Sequence, residues 1–167
     1  MVLNPATSDR GDSFVSFFEA EYDGLYRTML LTTGDRSEAD ELAQEAMARV
    51  FERWDRVRTM ESPVGYAHIV AFNLNRRRMR RLRAWRHRVR PDPPAATPLD
   101  AADAGRDVRA ALLRLPLPLR EAVVLTEWLG LSTEEAGRML GIAPVSVRGR
   151  LHRARGQLRE LLGDTDG

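Results

Sequence analysis

Apolar positions recur along this chain at steps of three and four, the period of a helix with one buried face, and segment after segment repeats that pattern. From Ser13 onward, Phe18, Tyr22, Leu25 and Met29 mark a first stripe, and the helix is expected to end near Gly34, where Thr32, Thr33 and Asp35 add stop signals. Residues 1–12 are polar, contain Pro5 and Gly11, and are expected to fray. A second helix follows, with Ser37 as its cap, Glu38, Asp40 and Glu41 in its first turns, and an apolar side of Leu42, Ala43, Ala46, Met47, Val50 and Trp54. Residues 56–62 show no period and read as a loop ending in Ser62-Pro63, a cap followed by a proline suited to the first helical turn. The third helix then has Tyr66, Ala67, Ile69, Val70 and Leu74 as its expected apolar side.

Toward the other end, residues 106–115 predict a short helix broken by Pro116 and Pro118, and residues 119–129 another, with Leu119, Ala122, Val123, Thr126 and Leu129 inward. Residues 131–162 then read as two helices joined by a tight turn. Ser132 stands three residues before Glu135, the spacing of a capping box. Ala136, Met139 and Leu140 give the first of these helices a buried side, Gly141 supplies a left-handed stop, and Pro144 opens the second. Val147, Leu151, Ala154, Leu158 and Leu161 form one stripe of that second helix. The opposite face carries Val145, Gly149 and His152, with Ser146, Arg148 and Arg153 at its edges and Arg150 nearby. A face that is small in the middle and cationic at its rim can approach a major groove closely, with guanidinium forks on guanine edges or phosphates. The segment is a helix-turn-helix, and DNA binding is its expected role.

Charge divides the chain. Of 167 residues 30% are charged, yet the net charge of +2 conceals a run, residues 62–91, with nine arginines and no acid, preceded by 61 residues that sum to −6. Within the run no i,i+4 pair can neutralise the helix, which must repel itself unless a polyanion is present, and nucleic acid is the obvious one. All 26 basic residues are arginine, which favours bidentate contacts and is equally what a biased genome produces. On the second helix Glu38, Glu41, Glu45 and Glu52 fall on one stripe with Gln44 beside them. That stripe is either a solvated face or a docking surface for a basic helix of another protein. Asn73 lies by angle with Tyr66, Ile69 and Val70, and is either a core amide satisfied locally or an amide aimed at an exposed base edge beside the arginines. Phe72 and Trp85 are candidates for stacking on bases or for packing.

Residues 90–105 hold four prolines and no apolar period, so they read as a flexible linker between two small helical domains. Sixteen extended residues span about 50 Å, enough, with the widths of the domains, to reach DNA elements two helical turns apart, roughly 70 Å. There is no cysteine, which excludes a disulfide framework, a cysteine-ligated zinc and a thiol nucleophile. No apolar run approaches a membrane span and the N-terminus lacks the two regions of a signal peptide, so a cytoplasmic protein without membrane insertion is expected, and no appended C-terminal domain. His68, His87 and His152 are scattered, with no zinc-protease motif and no Gly-rich phosphate loop, so neither catalysis, metal, cofactor nor small-molecule substrate is expected.

The stretches DRSEADELAQEAMARVF, LPLPLREAVVLTEWLGLSTEEAGRMLGI and VSVRGRLHRARGQL together resemble an extracytoplasmic-function sigma factor of bacterial RNA polymerase, of the actinobacterial type. The resemblance covers nearly the whole chain. It implies an all-α protein of two domains, residues 13–89 similar to the family's region 2 and residues 106–163 to its region 4, joined by the linker. It implies a factor that binds core polymerase through the β′ clamp helices and the β flap, with Glu38, Glu41, Gln44 and Glu45 at the docking positions. It further implies that Arg58, Ser62, Asn73, Arg76, Arg77 and Arg80 capture unstacked bases of the minus-10 element, and that Val145, Ser146, Arg148, Gly149, Arg150, His152 and Arg153 face the minus-35 duplex. An anti-sigma factor is a candidate partner. The family usually has Asp where Glu41 stands and an aromatic where Met47 stands, changes that keep the charge and the core contact. A stand-alone helix-turn-helix regulator is the alternative: it would share the C-terminal half but would not need an acidic helix beside a second basic block.

Overall fold

The computed structural model of the chain describes the backbone of residues 5–86 and 103–163, all of its regular structure helical. Residues 87–102, among them His87 and most of the linker expected over residues 90–105, lie outside the described residues; the last three linker positions, 103–105, belong to a helix. The chain divides into two compact units, residues 1–29 with 36–94 and residues 30–35 with 95–167.

Helix α1 runs Pro5–Thr33, with residues 5–29 in the first unit, which also holds α2 (Arg36–Glu52), α3 (Trp54–Val57) and α4 (Pro63–Arg86). The expectation of fraying over residues 1–12 is corrected from Pro5 onward. From Arg10 onward α1 is tied down: the Arg10 guanidinium donates to the Phe51 carbonyl at 2.7 Å and lies over the Phe51 ring, and Trp54 Nε1 donates to Ser13 Oγ at 2.7 Å. Phe14 and Phe17 pack on Phe51 and Trp54 with ring centroids 4.8 and 4.9 Å apart, distances at which aromatic pairs add to the stabilisation from burial alone. Gly34, at φ 80°, ends α1 where the sequence places the stop. Helix α2 opens at Arg36, two residues before the start that a Ser37 cap implies, so Ser37 sits inside it rather than capping it. The loop read over residues 56–62 likewise begins within a helical turn, α3.

Helices α2 and α4 pack against each other. Ala39, Ala43 and Ala46 on one, and Ala67 and Ala71 on the other, are fully buried, and such small side chains let two axes approach closely. This pairing corrects the expected face of α4. The buried positions are Ala67, His68, Ala71, Phe72, Leu74 and Asn75, while Ile69 is exposed and Tyr66 and Val70 are half-buried. Hydrophobicity favoured the Ile and Val stripe, but the alanines fit the partner. His68 is a buried core residue whose Nδ1 lies 2.9 Å from the Val64 carbonyl, and burial pushes its pKa down.

The second unit contains α5 (Asp103–Arg114), α6 (Leu117–Val123), a π-helical turn at Val124–Trp128, α7 (Thr133–Leu140) and α8 (Pro144–Gly163). The π turn was not legible. Leu129 N–H donates to the Val124 carbonyl at 3.0 Å, five residues back, and the extra residue shifts the helical phase. Val124 and Leu125 are therefore buried, Val123, Thr126 and Leu129 only half-buried, and Trp128 is 55% exposed. Arg120 donates to the carbonyls of Leu113 and Leu115 at 2.7 and 2.9 Å, satisfying groups that the end of α5 leaves unbonded. Among the described residues no helix is long and apolar enough to cross a membrane.

Candidate nucleic-acid interface

The helix-turn-helix of α7 and α8 is built as its sequence dictates. Ser132 Oγ accepts from the Glu135 N–H at 3.2 Å and the Glu135 carboxylate accepts from the Ser132 N–H at 2.8 Å, so the two orphan donors are satisfied reciprocally. The Ser132 N–H and then the Ser132 hydroxyl, both donating to it at 2.8 Å, hold the Glu135 carboxyl below the ordinary carboxylate range. Gly141 takes the left-handed conformation, φ 68° and ψ 35°, that closes α7. The turn also depends on Gly137, which sequence reasoning passed over: a Cβ there would lie 2.8 Å from the Ile142 carbonyl oxygen. Its signal was a glycine inside an otherwise regular helical pattern.

On α8, Val147, Leu151 and Ala154 are buried, and Leu158 and Leu161 half-buried. The opposite face is open: Val145 is 64% exposed, Ser146, Arg148, Gly149, His152 and Arg153 are exposed, and Arg150 is half-buried. Nothing lies within 4 Å of where a Gly149 Cβ would stand, so the space in front of its Cα is open. Such a surface offers DNA a close backbone approach with guanidinium groups at its rim.

In the first unit the basic and acidic elements adjoin. Asn73 is exposed rather than on the apolar side, and its Oδ1 accepts from Arg76 Nη2 at 2.7 Å. The amide nitrogen is the donor half of that side chain. Arg77 and Arg80 are exposed and Arg76 is half-buried. Phe72 is fully buried and cannot stack on a base, whereas Trp85 is 49% exposed. Arg58 and Ser62 are exposed at the loop before α4, where Ser62 Oγ accepts from the Gly65 N–H at 3.1 Å and caps the helix. That bond defines the hydroxyl's present partner.

On α2, Glu41, Gln44 and Glu45 are exposed and Glu38 half-buried. The arginine run is not wholly self-repelling, as its sequence implied: Arg78 on α4 pairs with Glu38 at 3.2 Å and Glu41 at 2.9 Å on α2. Glu45 pairs with Arg49 at 2.6 Å. A groove of about 360 Å³ between the two helices is lined by Glu41 and Glu45 on one side and Arg77, Arg78 and Arg81 on the other. Gln44 is held by Asp40, which accepts from its amide at 2.7 Å and from the Tyr22 hydroxyl at 2.5 Å. Burial, then that bond, push the Tyr22 pKa up to about 12. The role of Asp40 as an anchor for Gln44 was not visible in the sequence, where it read as a first-turn acid. No group of His, Asp and Glu among the described residues could hold a metal ion.

Residues 17–94 match the family model of Sigma-70 region 2, and residues 105–158 that of Sigma-70 region 4. The chain is 31% identical over 152 residues to the ECF RNA polymerase sigma factor SigM of Mycobacterium tuberculosis, an alignment covering 90% of this chain and 78% of that protein. The chain belongs to the extracytoplasmic-function sigma factors. This makes it a promoter-directing transcription initiation factor, and a stand-alone helix-turn-helix regulator would leave the region 2 match unexplained. It is also 34% identical over 151 residues to the ECF RNA polymerase sigma factor SigE of Mycolicibacterium smegmatis, covering 84% of this chain and 58% of that longer relative. In fold it is similar to the sigma factor RpoE of Bartonella quintana, solved with the anti-sigma factor NepR, with a TM-score of 0.76, 22% identity, and coverage of 90% of this chain and 97% of that one.

Proposed function

We propose that the two domains of this sigma factor, residues 13–89 and 106–163, divide promoter recognition between them, with the chain from residue 90 to the start of α5 as the tether. Helix α2 docks on core polymerase, at the β′ clamp helices, through Glu38, Glu41, Gln44 and Glu45. Helix α4 and the loop before it capture the minus-10 element. Arg76, Arg77 and Arg80 hold phosphates, Arg58 and Ser62 border the captured strand, and Asn73 bonds a base that has left the stack. Helix α8 reads the minus-35 duplex through Val145, Ser146, Arg148, Gly149, Arg150, His152 and Arg153, and the unit that carries it engages the β flap. The factor acts in the cytoplasm, where the polymerase is, and performs no chemistry of its own.

One observation carries this reading: an exposed amide, its oxygen fixed by Arg76, stands on α4 in a row with arginines, on the helix packed against the acid-striped α2. It supports a reading in which docking and strand capture share adjacent helices of one unit. An anti-sigma factor, as found with the Bartonella quintana protein, would compete most simply by covering the acidic face of α2. The test is transcription from linear promoter DNA by core polymerase with this factor and with its Glu41→Lys/Glu45→Lys variant. The wild type starts transcription at defined sites and the variant does not; starts by the variant at the wild-type level overturn the docking assignment.

A further inference from the structure

We infer that Glu134, on the helix before the recognition helix, is a positioning residue that sharpens promoter discrimination by orienting Arg148 toward one base pair; this rests on the assignment of α8 to duplex reading. The arginines of α8 are not equivalent. Arg155 is drawn to Glu127 at 2.8 Å, and Arg153 turns its Nε onto the Gly149 carbonyl of its own helix at 3.3 Å. Arg148 is instead tied across to α7. Its Nη1 lies 3.6 Å from Glu134 Oε1 and 3.4 Å from Thr133 Oγ1, and the Thr133 hydroxyl donates to Glu134 Oε2 at 3.1 Å. With Nη1 bonded to Thr133 and ion-paired with Glu134, Nη2 and Nε, the other edge of the guanidinium fork, face a base.

A carboxylate beside a DNA-reading face opposes the phosphate field, so on charge alone Glu134 weakens binding to every sequence. Nor does it hold the fold together: both side chains of the pair are 58% exposed, and solvated pairs contribute little to stability. What it does supply is restriction of a long side chain with many rotamers, and a guanidinium held in one orientation discriminates base edges better than one that samples several. Neutralising Glu134 should therefore have effects of opposite sign, tighter binding overall and poorer discrimination at the base pair that Arg148 reads.

The experiment uses holoenzyme assembled with the full-length wild type, Glu134→Gln, Arg148→Ala or Arg153→Ala, a pool of linear promoter fragments randomised across the minus-35 region, and sequencing of bound DNA. Arg148→Ala is expected to lose about tenfold or more discrimination at one base pair. Glu134→Gln should lose up to about fivefold at that same base pair while the total bound DNA rises, and Arg153→Ala should weaken all sequences evenly. If Arg148→Ala flattens a position and Glu134→Gln leaves it intact, or alters a different one, the positioning role is overturned and the reading by α8 stands. If Arg148→Ala changes no position, the reading by α8 fails and the role of Glu134 with it.

Discussion

Replacing Asn73 by Ala separates promoter opening from promoter binding. Asn73 is exposed and its one described bond goes to the Arg76 guanidinium at 2.7 Å. Its loss should leave the fold within about 0.5 kcal/mol of wild type, the usual range for a surface change. The arginines that hold phosphate remain, so affinity for closed duplex should change little. What disappears is hydrogen bonding to a base outside the stack, about 1–2 kcal/mol, which corresponds to roughly five- to thirtyfold in the fraction of open complexes. Two templates make the distinction: a linear duplex, and one already mismatched across the minus-10 region, where the few kcal/mol of unpairing no longer oppose capture. Transcription from the duplex by Asn73→Ala should fall by that factor and the mismatched template should recover most of it. Phe72→Ala is the contrasting control, because that neighbour is fully buried and truncating such a residue costs about 3–5 kcal/mol, a loss that should damage both templates alike. Equal defects of Asn73→Ala on the two templates, or a melting temperature lowered as in Phe72→Ala, would refute the capture role.

Glu41→Lys with Glu45→Lys should abolish capture of core polymerase in a pull-down while far-UV circular dichroism stays unchanged, because the pairs these residues make with Arg78 and Arg49 are largely solvated. Ser132→Ala should destabilise α7 by about 1 kcal/mol, the usual value of an N-cap, read as a lower urea midpoint of the second unit. Because the Glu135 carboxyl is held below its ordinary range, its contribution is present above the unfolded pKa and is lost as the pH falls through the lower, folded one. The advantage of wild type over Glu135→Gln in thermal melts should therefore shrink in acid, and a constant difference across that range would contradict the linkage.

Much of this was legible in the sequence because it depends on local rules. The capping box at Ser132 and Glu135, the stop at Gly141 and the start at Pro144 are each set by a few neighbouring residues, and the structure has all three. The buried stripe of α8 follows from a period that nothing interrupts. The face of α4 was misread because burial there is not decided by hydrophobicity: the small Ala67 and Ala71 are fully buried on the helix that packs on α2, and Ile69 is left outside. That exchange moved Asn73 from an expected core stripe to the surface. Long-range partners were illegible for the same reason. The pairing of Arg78 with Glu38 and Glu41, and the hold of Tyr22 on Asp40 and through it on Gln44, join residues 18 to 40 positions apart that no pattern in the chain connects. The π turn at 124–128 depends on accommodating one extra residue against the core, which periodicity cannot report.

The proposed function has α2, α4 and α8 acting together only on the polymerase. It is tested most directly by in-vitro transcription of fragmented genomic DNA with purified core polymerase, with and without this chain, mapping the 5′ ends of the transcripts. A small set of start sites should depend on the chain, share elements at minus-35 and minus-10, and vanish with Glu41→Lys/Glu45→Lys. The same transcripts from core polymerase alone, or sequence-specific DNA binding by the chain with no new start sites, would contradict it.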